Sequence, residues 1–374
     1  MKKTLLSVVL AVVLFAGSAF AQDGDLQKVL NQLAGPAVEG YINPIAQGLN
    51  TNFNGGLFHK APQTKLFGID FEIGLVVMGT PYADDEKTFS SAGKFTFNKS
   101  QADNIANSIN PATGNASLDA QIRATISTEL QKTVTDISIS GPTAIGAVYK
   151  AGDPTSEVAL EVQTPSITVN VGGVDRTYSL AGKKVSTGFG GIDAIQKLSM
   201  IPFAAPQLTL GTLLGTQVTV RYMPKYNIAE LGGDLSWTGF GVQHNLGYFL
   251  PIPIVDVAAS FYTQTLKIDP LFEMKGTAYG LNVSKQFGFG FLNATPYAGF
   301  MLENSKFTVH YTAPASAFDP ALGVAPPSVN VEIEGKNTSR AVVGLSLRLF
   351  VININADYNF GKYKSFTGGV FFAF

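Results

Sequence analysis

The chain has 374 residues, with 26 Lys and Arg against 27 Asp and Glu, a formal net charge of -1 at pH 7 and no cysteine. That balance offers no basic field for nucleic acid and no acidic tail, and it excludes a disulfide framework. Length alone would allow two soluble domains, but charged residues are only 14% of the chain, well below the roughly 25% of soluble proteins.

Met1 to Ala21 has the pattern of a secretory signal: Lys2 and Lys3, an apolar run from Leu5 to Ala16, then Ala19-Phe20-Ala21 before Gln22. The run is shorter than the roughly 18 apolar residues of a spanning helix. No cysteine follows it, which excludes lipoprotein processing. After it no segment has the length of a spanning helix, and a bilayer tolerates only helices or closed barrels. Composition therefore points to an exported barrel.

Asp25 to Asn50 has helical spacing, with Leu26, Val29, Leu30 and Leu33, then Val38, Tyr41, Ile42 and Ile45. Gly35-Pro36 and Asn43-Pro44 are breakers, so the pattern predicts two short amphipathic helices. Residues 22–64 would form either a cap on the periplasmic rim or a plug in the lumen.

Leu66 to Gly79 is the first strand: Phe67, Ile69, Phe71, Ile73, Leu75 and Val77 share one face, and Gly68, Asp70, Glu72, Gly74 and Met78 the other. Two inward carboxylates could mean acid/base or metal chemistry. The alternative, lumen charges answered by arginines on other strands, is the expectation here, because barrel interiors are polar by construction.

Within 81–205 the pattern weakens. Thr88 to Phe97, Pro142 to Tyr149 and Glu157 to Val162 read as short strands, and Leu118, Ile122, Ile126 and Leu130 make a helical stripe with Ser117 as its cap. A connection this long is unusual unless functional. It is expected to leave the membrane as a mouth-covering or partner-facing subdomain.

Alternation returns at Pro206. Gln207 to Gly211 and Gln217 to Tyr222 form a hairpin, followed by strands at Asp234 to Asn245, Ile254 to Lys267, Gly276 to Gln286 and Phe291 to Tyr311. Tight junctions at Phe287 to Gly290 and Phe350 to Asn353 alternate with longer polar ones at Met223 to Gly233 and Ala313 to Ser328, the asymmetry of outer-membrane barrels.

The last segment is the clearest. Ala341, Val343, Leu345, Leu347 and Leu349 alternate with Val342, Gly344, Ser346 and Arg348; Ile352, Ile354, Ala356, Tyr358 and Phe360 alternate with Asn353, Asn355, Asp357 and Asn359. Phe366, Val370, Phe372 and Phe374 then share one face. A two-residue turn at Val351-Ile352 would put Arg348 opposite Asn355 and make Arg348 and Asp357 diagonal neighbours in the lumen. With Asp70, Glu72, Arg221 and Asp256 they are the expected charged lining.

With both ends periplasmic, an even number of strands must fit between Gly79 and Pro206, giving totals of ten, twelve or fourteen. We take twelve. The predicted fold is all-β, a transmembrane antiparallel β-barrel over 65–374 with short N-terminal helices.

Catalytic signals are missing. His59, His244 and His310 are the three histidines, and none lies in a nucleophile motif. Asp84-Asp85-Glu86 lacks the spacing of a calcium loop. No catalytic residue, metal site or cofactor is expected.

Several motifs carry a resemblance. Tyr41-Ile42-Asn43-Pro44, Asn54-Gly55-Gly56 ahead of Lys65-Leu66-Phe67-Gly68-Ile69-Asp70, Pro142-Thr143-Ala144-Ile145-Gly146, and Pro206 to Gly211 with Gly215 to Tyr222 resemble an outer-membrane barrel family with no established activity, over nearly the whole mature chain. The ending Phe372-Ala373-Phe374 resembles the signal read by the outer-membrane assembly machinery. Asn43-Pro44 before a barrel is more distantly similar to FadL-type transporters, which implies an N-terminal hatch, though no ligand motif of theirs is matched.

The expected place is the outer membrane, with its lipid and the assembly machinery as partners. The expected role is passive transport of, or a channel for, a small or hydrophobic solute. A structural or interaction barrel with a filled lumen is the alternative, and a lipid-modifying enzyme a distant third.

Overall fold

The computed structural model describes residues 24–63, 67–163, 165–171, 173–179, 183–228, 233–250, 252, 254–312 and 328–374. The expected signal peptide lies outside them, as does most of the polar junction expected at Ala313 to Ser328. The chain opens with helix α1 (Gly24–Phe53) and crosses to strand β1 (Phe67–Pro81). Above β1 come β2 (Thr88–Thr96), α2 (Lys99–Ser108), α3 (Ala116–Lys132), β3 (Val134–Pro142), β4 (Ala159–Val162), β5 (Ser166–Val171), β6 (Val174–Ser179), β7 (Lys183–Ser186) and α4 (Asp193–Gln196). The chain then runs through β8 (Met200–Leu213), β9 (Thr216–Ile228), β10 (Gly233–Asn245), β11 (Asp256–Asp269), β12 (Phe272–Ser284), β13 (Phe287–Phe289), β14 (Leu292–Thr312), β15 (Ser328–Glu334), β16 (Ser339–Leu349), β17 (Ile352–Phe360) and β18 (Ser365–Ala373).

Among the described residues the main sheet holds twelve strands, and ten of them close a ring. Around it run β1, β8, β9, β10, β11, β12, β14, β16, β17 and β18, each antiparallel to its neighbours, and β1 pairs back onto β18 from Glu72↔Ala373 to Gly79↔Phe366. The other two, β13 and β15, pair on β14 and stand outside the ring. The extra wall hairpin expected between Gly79 and Pro206 does not form: β2, β3, β4 and β7 make a separate sheet and β5 pairs with β6. The reason lies in their faces. Phe95, Phe97, Ile137 and Ile139 turn into a core of their own with Ile122, Ile126 and Leu130 of α3, while the other side of β2 carries Ser90, Lys94 and Thr96, which cannot face lipid.

In the wall the two-residue period sorts side chains as a bilayer demands. Ile73, Leu75 and Val77 on β1, Val343, Leu345 and Leu347 on β16, and Phe366, Val370 and Phe372 on β18 are exposed outward. Glu72, Ser346, Asn353, Asn355, Asp357, Asn359 and Thr367 are buried inward. No described helix is long and apolar enough to cross a membrane; the crossing is made by strands.

Four local expectations need correction. The segment from Pro142 to Tyr149, expected as a strand, is a turn following β3. Residues 24–53 form one helix despite Pro36 and Pro44. Tertiary contacts carry the chain past the second proline: in the turn before Pro44, the Ala144 amide donates a hydrogen bond to the Tyr41 carbonyl at 2.9 Å, so the helix continues although Pro44 has no N–H to donate. The cap of α3 is Asn115, whose side chain accepts from the amides of Ser117 and Leu118 at 3.0 and 3.2 Å. Strand β9 runs to Ile228, through much of the loop expected after Met223.

Candidate functional site in the lumen

Helix α1 joins two cores. Leu33, Ala37 and Tyr41 pack into the subdomain core, whereas Ala46 and Phe53 pack with Val76, Ala205, Trp237, Leu266, Met274 and Ile333 of the barrel. Phe53 stacks on Trp237 with ring centroids 5.6 Å apart. Beyond the helix, residues 54–63 descend through the lumen to the start of β1.

Polar wall groups hold this strap along its length. Near the mouth, Arg340 donates to the Thr51 carbonyl at 2.7 Å and pairs with Glu303 at 3.1 Å. At mid-depth, one guanidinium nitrogen of Arg221 donates to the carbonyls of Gly55 and Gly56 at 2.7 and 2.8 Å, and another to that of Phe53 at 3.3 Å. Lower down, Lys60 bridges Asp70 at 2.8 Å and Glu72 at 2.7 Å. The imidazole of His59 stands 2.7 Å from the other Glu72 oxygen, close enough for an ion pair but not aligned as a hydrogen bond. At the bottom, the Ala61 amide donates to the Ser284 hydroxyl at 2.9 Å and Asn245 donates to the Pro62 carbonyl.

Gly56 shows why the strap fits. Its φ is +59°, and a Cβ there would run into Val76 and Thr367, so a left-handed residue without a side chain is required. Beside Leu57, Arg221 and Tyr262 a void of about 10 Å³ remains, room for one water at most.

The charged positions read from sequence sit as follows. Asp70 and Glu72 meet Lys60 and His59 of the strap, not arginines of other strands. Arg221 holds strap carbonyls, and Asp256 accepts from Asn245 at 2.9 Å. Asp357 accepts from Tyr297 at 2.9 Å and from Asn359 at 2.6 Å. Arg348 lies on the inner face near the rim, donating to the carbonyls of Phe350 at 3.2 Å and Ala373 at 3.0 Å.

The expected Arg348–Asp357 pairing is overturned. Phe350 and Val351 form the turn, with Phe350 at φ +57°, and Leu349 faces Ile352, so Arg348 lies opposite Asn353 and Gly344 opposite Asp357. Moving the turn by one residue shifts the pairing by two, which keeps every face but breaks every predicted partner.

His59, Lys60, Glu303 and Arg340 were missed by the sequence reading. For Arg340 a signal existed, since it shares its parity with Val342, Ser346 and Arg348; Lys60 lies in no periodic element. His244 sits on the outer wall at the rim, with Thr216 at 2.9 Å and Phe249 beside it. The side chain of His310 lies outside the described residues. Asp84 pairs with Lys87 at 2.7 Å in an exposed turn. Among the described residues no group of acids and histidines could hold a metal ion. Phe372 and Phe374 point outward, and Phe374 exchanges main-chain hydrogen bonds with Phe71 at 3.2 and 2.9 Å.

A closed antiparallel ring, apolar outside and polar inside, is an outer-membrane β-barrel. The chain belongs to the family of unknown function DUF6588, matching it over residues 1–374. No curated protein matches it. Among solved structures it is similar to a loop-deletion mutant of OmpT, an outer membrane protein of Vibrio cholerae, at 10% identity over 83% of this chain and 100% of that one, with a TM-score of 0.23. It is also similar to a BenF-like porin from Pseudomonas fluorescens Pf-5, at 9% identity over 82% of this chain and 97% of that one, with a TM-score of 0.19. The outer membrane channel DcaP of Acinetobacter baumannii is similar at 9% identity over 82% and 96% of the respective chains, with a TM-score of 0.16.

Proposed function

We propose that this barrel is closed at rest by its own N-terminal segment and serves as an outer-membrane mount for the subdomain of residues 82–199, which interacts with partners outside the cell. One observation carries the reading: residues 51–62 run the length of the lumen and are bonded to the wall near the mouth, at mid-depth and at the bottom. The same helix that enters the barrel also forms part of the subdomain core, so the plug and the display element are one piece. In outer-membrane barrels the long connections face outward, which supports a cell-surface position for the subdomain. Export through the segment Met1 to Ala21 belongs to this proposal.

The test is electrical. Full-length protein in planar bilayers should pass little current, and deletion of Asp25 to Pro62, which removes helix and strap together, should leave a heat-modifiable barrel that conducts, because neither contributes an interstrand hydrogen bond to the ring. Free conduction by the full-length protein would overturn the closed-barrel reading.

A gated passage for a small solute is the second reading. It is favoured by the chemistry of the strap's attachments, which are mostly hydrogen bonds and ion pairs to Asn, Gln, Arg and acidic groups that water could replace. Solute-dependent swelling of liposomes carrying the intact protein would select it.

The assembly machinery is the proposed partner of Phe372 and Phe374. Removing Phe374 takes away two main-chain bonds to Phe71 and one exposed ring, a small part of the wall. We expect folded barrels of the truncated chain to unfold nearly as the intact protein does, while its level in the outer membrane of cells falls several-fold. Normal membrane levels would contradict this.

A further inference from the structure

The outer wall changes chemistry along one line. Phe261, Tyr279 and Leu302 stand opposite one another across β11, β12 and β14 and face outward. One step towards the long-loop end the matching row is Thr263, Thr277 and Asn304; the next is Thr265, Lys275, Lys306 and Glu334; the next is Lys267, Glu273, Thr308 and Glu332. Over these rows, where β14 leaves β16 and takes β15 as its partner, the surface is hollowed into a groove of about 540 Å³ lined only by polar residues and glycine.

The lining limits what fits. With no apolar side chain the groove does not hold an acyl chain. Its acids outnumber its lysines, but most of its charges are already paired: Glu273 sits 3.0 Å from Lys267 and also pairs with Lys275, and Lys306 lies 2.9 Å from Glu332. A simple anion or cation therefore gains little, whereas hydroxyls, an amide, ammonium groups and carboxylates side by side offer alternating donors and acceptors, as a polyhydroxylated ligand needs. The groove begins one row above the lipid-facing Phe261, Tyr279 and Leu302, which is headgroup level in the outward leaflet.

We propose that this groove binds the saccharide headgroup of an outer-leaflet glycolipid, its acyl chains lying against the apolar row below. Lys275 and Lys306 act as donors, and Thr263, Thr277 and Asn304 face the sugar nearest the membrane.

The test uses the full-length protein in detergent with fluorescent rough lipopolysaccharide as probe. Thr277→Tyr fills the groove from a strand position that tolerates an aromatic, and Lys275→Ala with Lys306→Ala removes two exposed donors. Each should lower retention about tenfold, as loss of one or two hydrogen bonds to charged or sugar groups would, with heat-modifiable mobility unchanged. The deacylated core oligosaccharide should compete, showing that the sugar is read and not only the lipid. Undiminished retention by both variants, no competition by the oligosaccharide, or equal retention of phosphatidylglycerol vesicles would each overturn the proposal.

Discussion

Arg221→Ala should convert the closed barrel into a leaky one. The guanidinium is buried, and its partners are all neutral oxygens: the carbonyls of Phe53, Gly55 and Gly56, and the side chains of Gln207 and Gln264. It also lies over Trp237, 5.8 Å from the ring centroid. Removing it leaves the Gly55 and Gly56 carbonyls without that donor, at about 1–3 kcal/mol each. The Phe53 carbonyl keeps its bond from Gln264. Relief of burying the cation, and water entering the space, offset part of the loss, so a net loosening of about 3 kcal/mol is expected; that would raise the population with the strap displaced by about two orders of magnitude. Single-channel recording should show frequent openings, and hydrogen exchange should speed at the strap amides. A variant as silent and as protected as the parent would show that Arg221 does not hold the strap.

Breaking the Glu303–Arg340 pair should cost the most stability of any single wall substitution considered. Both side chains are 2% exposed, and Arg340 also binds Thr51 and Asn359, at 2.7 and 3.2 Å. Glu303→Gln keeps the shape but strands a buried cation, which typically costs about 3–5 kcal/mol. Replacing both residues by Met should cost less than Glu303→Gln alone, since the desolvation of two charges is no longer required. Urea unfolding in detergent, followed by loss of the compact band on gels, measures both. Equal midpoints for the parent and Glu303→Gln would mean that water already screens the pair.

Two features are legible in the sequence. The lipid-facing sides of β1 and of β16 to β18 follow from strict alternation, because in a strand the choice of face is a local property and lipid punishes any polar residue on the wrong side. The stripe of Ile122, Ile126 and Leu130 likewise announced α3. Even there a cap and a turn were misplaced by one or two residues, since neighbouring Ser, Asn and aromatic residues serve those positions almost equally well.

What occupies the lumen was decided by tertiary structure alone. The strap is held largely through its own carbonyls, and every residue has a carbonyl, so Phe53, Gly55 and Gly56 carry no mark of their partner Arg221. Lys60 meets Asp70 and Glu72 only because ten strands leave a bore that one chain fills. Strand number, in turn, depended on what covers the second face of β2 and β3: in the sequence their alternation has the same period as a wall strand, and only packing against α1 and α3 removes them from the membrane. Thus the sequence by itself determined the alternating wall and its membrane-facing side, through a period that each strand carries alone. The closed lumen, the register of the last hairpins and the separate subdomain required contacts between residues far apart in the chain, whose energies no local pattern records.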